Sequence, residues 1–125
     1  MAYSVNLHFA ESKSSSNEKT QREARAILEG VAKAFGGFTL MESSGGWVAP
    51  SGKLVLEASF VLNTVSDKSY DSTLNLARMF AEDLRHLFDQ DSVMITITEI
   101  KTLESSLRPA ASQRDEFTNR GVSTE

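Results

Sequence analysis

Tyr3, Val5, Leu7 and Phe9 alternate with Ser4, Asn6 and His8, and this period of two predicts a strand over 3–9 with one covered face. The polar run that follows, AESKSSSNE, reads as a loop. Ser15 with Glu18 three residues later has the spacing of a capping box, after which Ala24, Ile27, Leu28, Val31, Ala34 and Phe35 recur at helical spacing as far as Gly36-Gly37. A helix over about 17–35 with a glycine stop is expected. GFTLME (37–42) reads as a short strand, SSGGWVAPSG as a connection, and KLVLEASFVLNTV (53–65) as a longer strand, the two strands forming a hairpin.

Tyr70, Leu74, Ala77, Phe80 or Ala81, Leu84, Leu87 and Phe88 fall on one face of a second amphipathic helix. Arg78, Glu82, Asp83 and Arg85 lie on its other face and read as solvated charges paired at short helical spacings. SVMITITEI (92–100), rich in β-branched residues, makes a fourth strand. Beyond it the periodicity ends.

The order βαββαβ is that of the ferredoxin-like motif, an α+β fold with a four-stranded antiparallel sheet and both helices on one face. The other sheet face is left open. In the third strand Leu54, Leu56, Ala58, Phe60 and Leu62 are expected beneath the helices, while Val55, Glu57, Ser59, Val61 and Asn63 point away. Ser4, Asn6, His8, Thr39, Met41, Thr96 and Thr98 join them. Such a mixed face can be wet, as one side of an antiparallel sheet often is. It can equally meet the open faces of other copies, leaving Glu57 in a cleft between subunits.

Composition narrows the class. The 125 residues are 40% hydrophobic and 24% charged with a net charge of −4, which predicts one globular domain over 1–104 and a polar tail, 105–125, that is flexible or docks on a neighbouring subunit. No basic footprint for nucleic acid is present, no apolar run is long enough to span a membrane, and a cytoplasmic location is expected. With no cysteine and only His8 and His86, neither a metal centre nor a cofactor is expected, and any chemistry rests on carboxylates, hydroxyls, amides or a few basic groups. Phosphate loops, G-x-S-x-G elbows and paired acids of diagnostic spacing are not found.

Glu57 is the sharpest candidate. Strands are depleted in glutamate, and its sequence neighbours are Leu, Val and Ala, so the acid needs a cationic partner: a lysine or arginine across the sheet, or the ammonium of a ligand. Trp47, the only tryptophan, lies between Gly46 and Pro50. It is either a cover for one edge of the core or a flat wall for a ligand ring on a glycine-rich connection. Ser59, on the Glu57 face, and Gly45 and Gly46 complete the candidate ligand-binding set.

Over roughly 35–100 the chain resembles two groups of small proteins. One is an uncharacterised bacterial PII-like, ferredoxin-like family with the pattern G-x-W-x-x-P-x-G ahead of a glutamate-bearing strand, here Gly45, Trp47, Pro50, Gly52 and Glu57. The other is the phage S-adenosylmethionine lyases, formerly called hydrolases, which it resembles in the run from Glu42-Ser43 through glycine, an aromatic and proline to an acidic strand. Asp67-Lys68, LNLAR (74–78) and QDSVMI (90–95) extend that likeness. The phage family has tyrosine at the place of Trp47, so a role needing a phenolic hydroxyl does not transfer.

The phage resemblance implies a trimer with ligand sites between subunits, acting against restriction in the host cytoplasm. It also implies an intramolecular reaction, in which the carboxylate of S-adenosylmethionine attacks its own side chain and releases methylthioadenosine and homoserine lactone. Glu57 would hold or deprotonate the substrate ammonium, Trp47 would pack on the ligand, and backbone amides near Gly45-Gly46 would meet its polar end. The PII-like resemblance implies a non-catalytic oligomer that binds an adenine-containing or other small metabolite. A structural assembly domain is the third possibility.

Overall fold

The computed structural model describes residues 1–10 and 17–101. Its elements are β1 (Ala2–Ala10), α1 (Glu18–Phe35), β2 (Thr39–Val48), β3 (Leu54–Ser66), α2 (Tyr70–Leu87) and β4 (Met94–Ile100). The strands form one antiparallel sheet in the order β2-β3-β1-β4, with the two helices on one face, which is the ferredoxin-like arrangement the pattern predicts. The expected tail, 105–125, lies outside the described residues.

Each helix carries its own stop and start signals. The Asn17 side chain accepts hydrogen bonds from the backbone N–H groups of Lys19 (2.8 Å) and Thr20 (3.3 Å), so the N-cap of α1 is Asn17 rather than Ser15, which is outside the described residues. Gly36, at φ 99°, closes that helix in the left-handed region. At the start of α2 the Ser69 hydroxyl accepts from the Ser72 N–H, and the buried hydroxyls of Ser66 and Thr73 bond at 2.7 Å, tying the end of β3 to the first turn of the helix.

The end of α2 is less well served. Gln90 N–H returns to the Arg85 carbonyl and Asp89 N–H to that of His86, a Schellman pattern that places Asp89 at φ 53°. A side chain there is strained, and glycine is not. The left-handed backbone costs a side chain about 1–2 kcal/mol, less about 0.5–1 kcal/mol of extra chain entropy that glycine loses, so Asp89→Gly is expected to stabilise the fold by about 0.5–1 kcal/mol, measured as a shift in the denaturant midpoint at unchanged slope. A lower midpoint would contradict the strain.

The core lies between the sheet and the helices. Val5, Leu7 and Phe9 of β1 and Leu62 of β3 meet Val31 of α1, Ala77, Phe80, Ala81 and Leu84 of α2, and Phe88, which caps the end of α2. Phe9 is stacked between Phe60 and Phe88, with ring centroids 5.5 and 5.3 Å away. The alternation read from the sequence places these residues correctly, because each strand face is fixed by parity alone.

Two expectations fail at the β2-β3 hairpin. First, β2 does not stop at residue 42: it runs through Ser43, Ser44, Gly45, Gly46 and Trp47 to Val48, each paired with a residue of β3. The connection shrinks to Pro50-Ser51-Gly52, in which Ala49 and Lys53 close the loop and Gly52 supplies a φ of 88°. Second, Leu54, Leu56 and Ala58 have the predicted parity but, among the described residues, no helix above them. Leu54 is 65% exposed and Leu56 73%, against 1% for Leu62 on the same face.

The reason is length. An 18-residue helix spans about 27 Å, whereas the 13 residues of β3 span about 43 Å. Pairing of β1 with β3 ends at Ala10 and Ser59, so five further pairs, from Ser44-Ala58 to Val48-Leu54, continue as a two-stranded ribbon about 17 Å long.

Candidate functional site

The candidate residues all lie on or at the base of this ribbon. Across the ladder Gly45 faces Glu57, Trp47 faces Val55, and Ser43 faces Ser59. Directly opposed residues share a face, so Glu57, Trp47, Gly45, Ser43 and Ser59 belong to the side turned away from the helices. Gly46, the remaining candidate, is on the helix side. It faces Leu56, and a Cβ built there would stand 3.1 Å from the Leu56 side chain and 3.3 Å from the Val55 carbonyl. Its small size serves packing within the ribbon.

Gly45 does the opposite. A Cβ at Gly45 would meet nothing closer than Ser59 Oγ at 4.0 Å, so the position leaves a floor without side chains beside Glu57. Trp47 stands two residues to one side of that floor, half-exposed, and Ser43 two residues to the other, each about 7 Å along the strand. Ser43 Oγ and Ser59 Oγ are hydrogen-bonded at 2.8 Å. Trp47 is thus no edge cover for the core, because the ribbon carries it beyond the helices. Gly45 and Gly46 are strand residues rather than a loop.

Glu57 is exposed in the single chain, since Leu56 and Ala58, its sequence neighbours, point to the opposite face. No salt bridge among the described residues includes it. The cross-strand cation allowed by the sequence is absent at its ladder position, where Gly45 stands instead.

Toward the centre of the sheet the open face turns first apolar, then polar. Met41, Val61, His8 and Met94 form one row across all four strands, and Thr39, Asn63, Asn6 and Thr96 the next. The Asn63 amide donates to Asn6 Oδ1 (2.9 Å) and Ser4 Oγ (3.1 Å), binding the middle strands together. Every open-face position assigned from the sequence is confirmed by this register.

Ser43 is the member of the group that the sequence reading misses. Continuing the alternation Thr39, Met41 reaches Ser43, Gly45 and Trp47, but Gly-Gly-Trp carries the local signal of a break. The charged face of α2 is as expected: Glu82 bonds Arg85 at 2.6 Å and His86 at 2.8 Å, and the hydrogen bond from Arg85 holds the Glu82 carboxyl below its usual range. That cluster lies on α2, where Glu82 and Arg85 border a hollow with Val93 and Ile95, and not on the ribbon.

Two concavities lined by described residues lie elsewhere. One of about 740 Å³ is lined by Met1, Ala2, Asp67, Glu99, Ile100 and Lys101, at the opposite end of the sheet. Another, of about 440 Å³, lies between the helices around Ile27 and Leu87. Neither includes a ribbon residue. The described residues hold no group of three or more His, Cys, Asp or Glu able to hold a metal, and none of the described helices is long and apolar enough to cross a membrane.

The sequence matches no protein-family description and no curated protein. Solved structures do resemble the fold. A phage SAM lyase in complex with S-methyl-5'-thioadenosine superposes with a TM-score of 0.60 at 19% identity, covering 78% of this chain and 81% of that one. The apo state of a phage SAM lyase gives 0.59 at 18% identity, over 77% and 78% of the two chains. The periplasmic divalent cation tolerance protein CutA from Archaeoglobus fulgidus gives 0.53 at 12% identity, over 83% and 88%. At these identities the likeness is one of fold.

Proposed function

We propose that the chain is an S-adenosylmethionine lyase, giving methylthioadenosine and homoserine lactone, and that it works as a homo-oligomer. The observation that carries the reading is the juxtaposition of Glu57, Trp47 and Ser59 around the bare floor at Gly45, on a fold shared with a phage lyase that binds the corresponding thioadenosine product. The reaction asks for little beyond such a surface. Nucleophile and leaving group belong to one molecule, so holding it in an attack conformation and placing charge correctly supplies most of the acceleration. Trp47 would stack on the adenine ring, and Glu57 would pair with the ammonium or take its proton.

A single chain offers this ligand one wall. Among the described residues the ribbon is two strands wide, and Val48, Leu54 and Leu56 stand largely exposed on its helix side. A ribbon of that kind is marginal in water without a third layer. Neighbouring copies supply the cover for the leucines on one side of the ribbon and the missing wall of the site on the other. Three subunits, the number implied by the phage resemblance, would close this arrangement into a ring, and an anti-restriction role in host cytoplasm is part of the same proposal.

The likeness to CutA also suits a non-catalytic metabolite-binding oligomer. One assay separates the readings. Purified protein incubated with S-adenosylmethionine is expected to yield methylthioadenosine, detected by chromatography. Binding without product would move the assignment to the metabolite binder, and absence of both would leave an assembly domain.

A further inference from the structure

In the proposed reaction the substrate carboxylate is the nucleophile, so the group that holds it affects both affinity and rate. The usual carboxylate ligand is an arginine or lysine, which binds strongly and withdraws charge from the oxygen that must attack. The open-face strand positions of the ribbon and sheet contain neither. Lys53 is in the turn, four residues before Glu57 and about 13 Å along the strand. The neutral donors beside Glu57 are the hydroxyls of Ser59, two residues on along β3, and of Ser43 opposite it.

Resting on the function proposed above, the geometry points to the Ser43–Ser59 pair as the holder of the substrate carboxylate, and so as the determinant that selects an amino-acid end. The two hydroxyls own two protons. Their mutual bond of 2.8 Å uses one and leaves the other to donate outward. A hydroxyl that already accepts a hydrogen bond is a better donor, so the pair acts as a short relay ending on one carboxylate oxygen. The second oxygen stays unbonded.

With the ammonium at Glu57 and one carboxylate oxygen at the serines, the free oxygen forms a bond to the carbon that carries the sulfonium. The carbon–sulfur bond breaks with its electron pair going to sulfur, and neutral methylthioadenosine leaves. No proton, oxidant or second substrate enters the balance.

The test uses two unreactive probes with the full-length protein. S-adenosylhomocysteine carries the amino-acid end but no sulfonium, and methylthioadenosine lacks that end. Ser43→Ala and Ser59→Ala are each expected to weaken S-adenosylhomocysteine binding about tenfold, the scale of one hydrogen bond to a charged group, and to leave methylthioadenosine binding unchanged. Ser59→Thr, which keeps the hydroxyl, is expected to retain the wild-type preference. Equal weakening of both probes would show a structural role and overturn the proposal, as would variants indistinguishable from wild type. If wild-type protein releases methylthioadenosine from S-adenosylmethionine while the serine variants keep their preference, only this inference falls. If wild type neither binds nor cleaves, the lyase reading falls and takes this one with it.

Discussion

Replacing Glu57 by glutamine is expected to lower kcat/KM for S-adenosylmethionine by about tenfold to a hundredfold, the scale of one hydrogen bond between charged groups, with the mass of the assembly unchanged. The substitution keeps size, shape and one acceptor oxygen, and replaces the charge and the other oxygen by a neutral N–H donor group. Glu57 is exposed, lacks any salt bridge among the described residues and faces a glycine, so no packing or internal pair is disturbed. The loss would therefore belong to the ligand. If the carboxylate only holds the ammonium, the effect enters mainly through KM, and if it takes a proton, through kcat. A Glu57→Gln enzyme with normal kinetics would remove the residue from the mechanism.

The second large effect concerns assembly. Leu54→Glu combined with Leu56→Glu is expected to convert the oligomer to monomers by light scattering and to abolish product formation, while the thermal unfolding of the monomeric domain stays cooperative. Each leucine gains about 1.5–3 kcal/mol when fully buried, repeated in every subunit, and each glutamate would bring an unpaired charge into the same contact. In the isolated chain both side chains already face water, so the exchange costs the domain itself little. An oligomer that survives both charges would place the subunit contact elsewhere, and Val48 on the same side would lose its proposed cover too.

The two expectations are coupled in a useful way. Glu57 and the leucines alternate along one strand and face opposite sides of the ribbon. Charge at Leu54 and Leu56 should act through assembly alone, and neutralisation of Glu57 through the ligand alone. A Glu57→Gln protein that also fell apart into monomers would mean that the ribbon itself had unfolded.

Periodicity in the chain determined which elements form and which face each strand residue takes. Val5, Leu7, Phe9 and Leu62 on one side, and Asn6, His8, Glu57 and Asn63 on the other, follow from a two-residue repeat that is a property of the local backbone. The same repeat would have carried β2 onward through Ser43, Gly45 and Trp47. Glycine and tryptophan in succession are an ambiguous local signal, and the pairing partner on β3, not the residues of β2, settled that the strand continues.

Burial was decided by tertiary structure. Leu54 and Leu62 are the same residue type on the same face of the same strand, one 65% exposed and the other 1%. What separates them is where β1 and the helices end relative to β3, a non-local register that no window of sequence contains. Two 18-residue helices cannot cover a 13-residue strand along its length, and the register places the uncovered part at the end that carries Glu57 and Trp47.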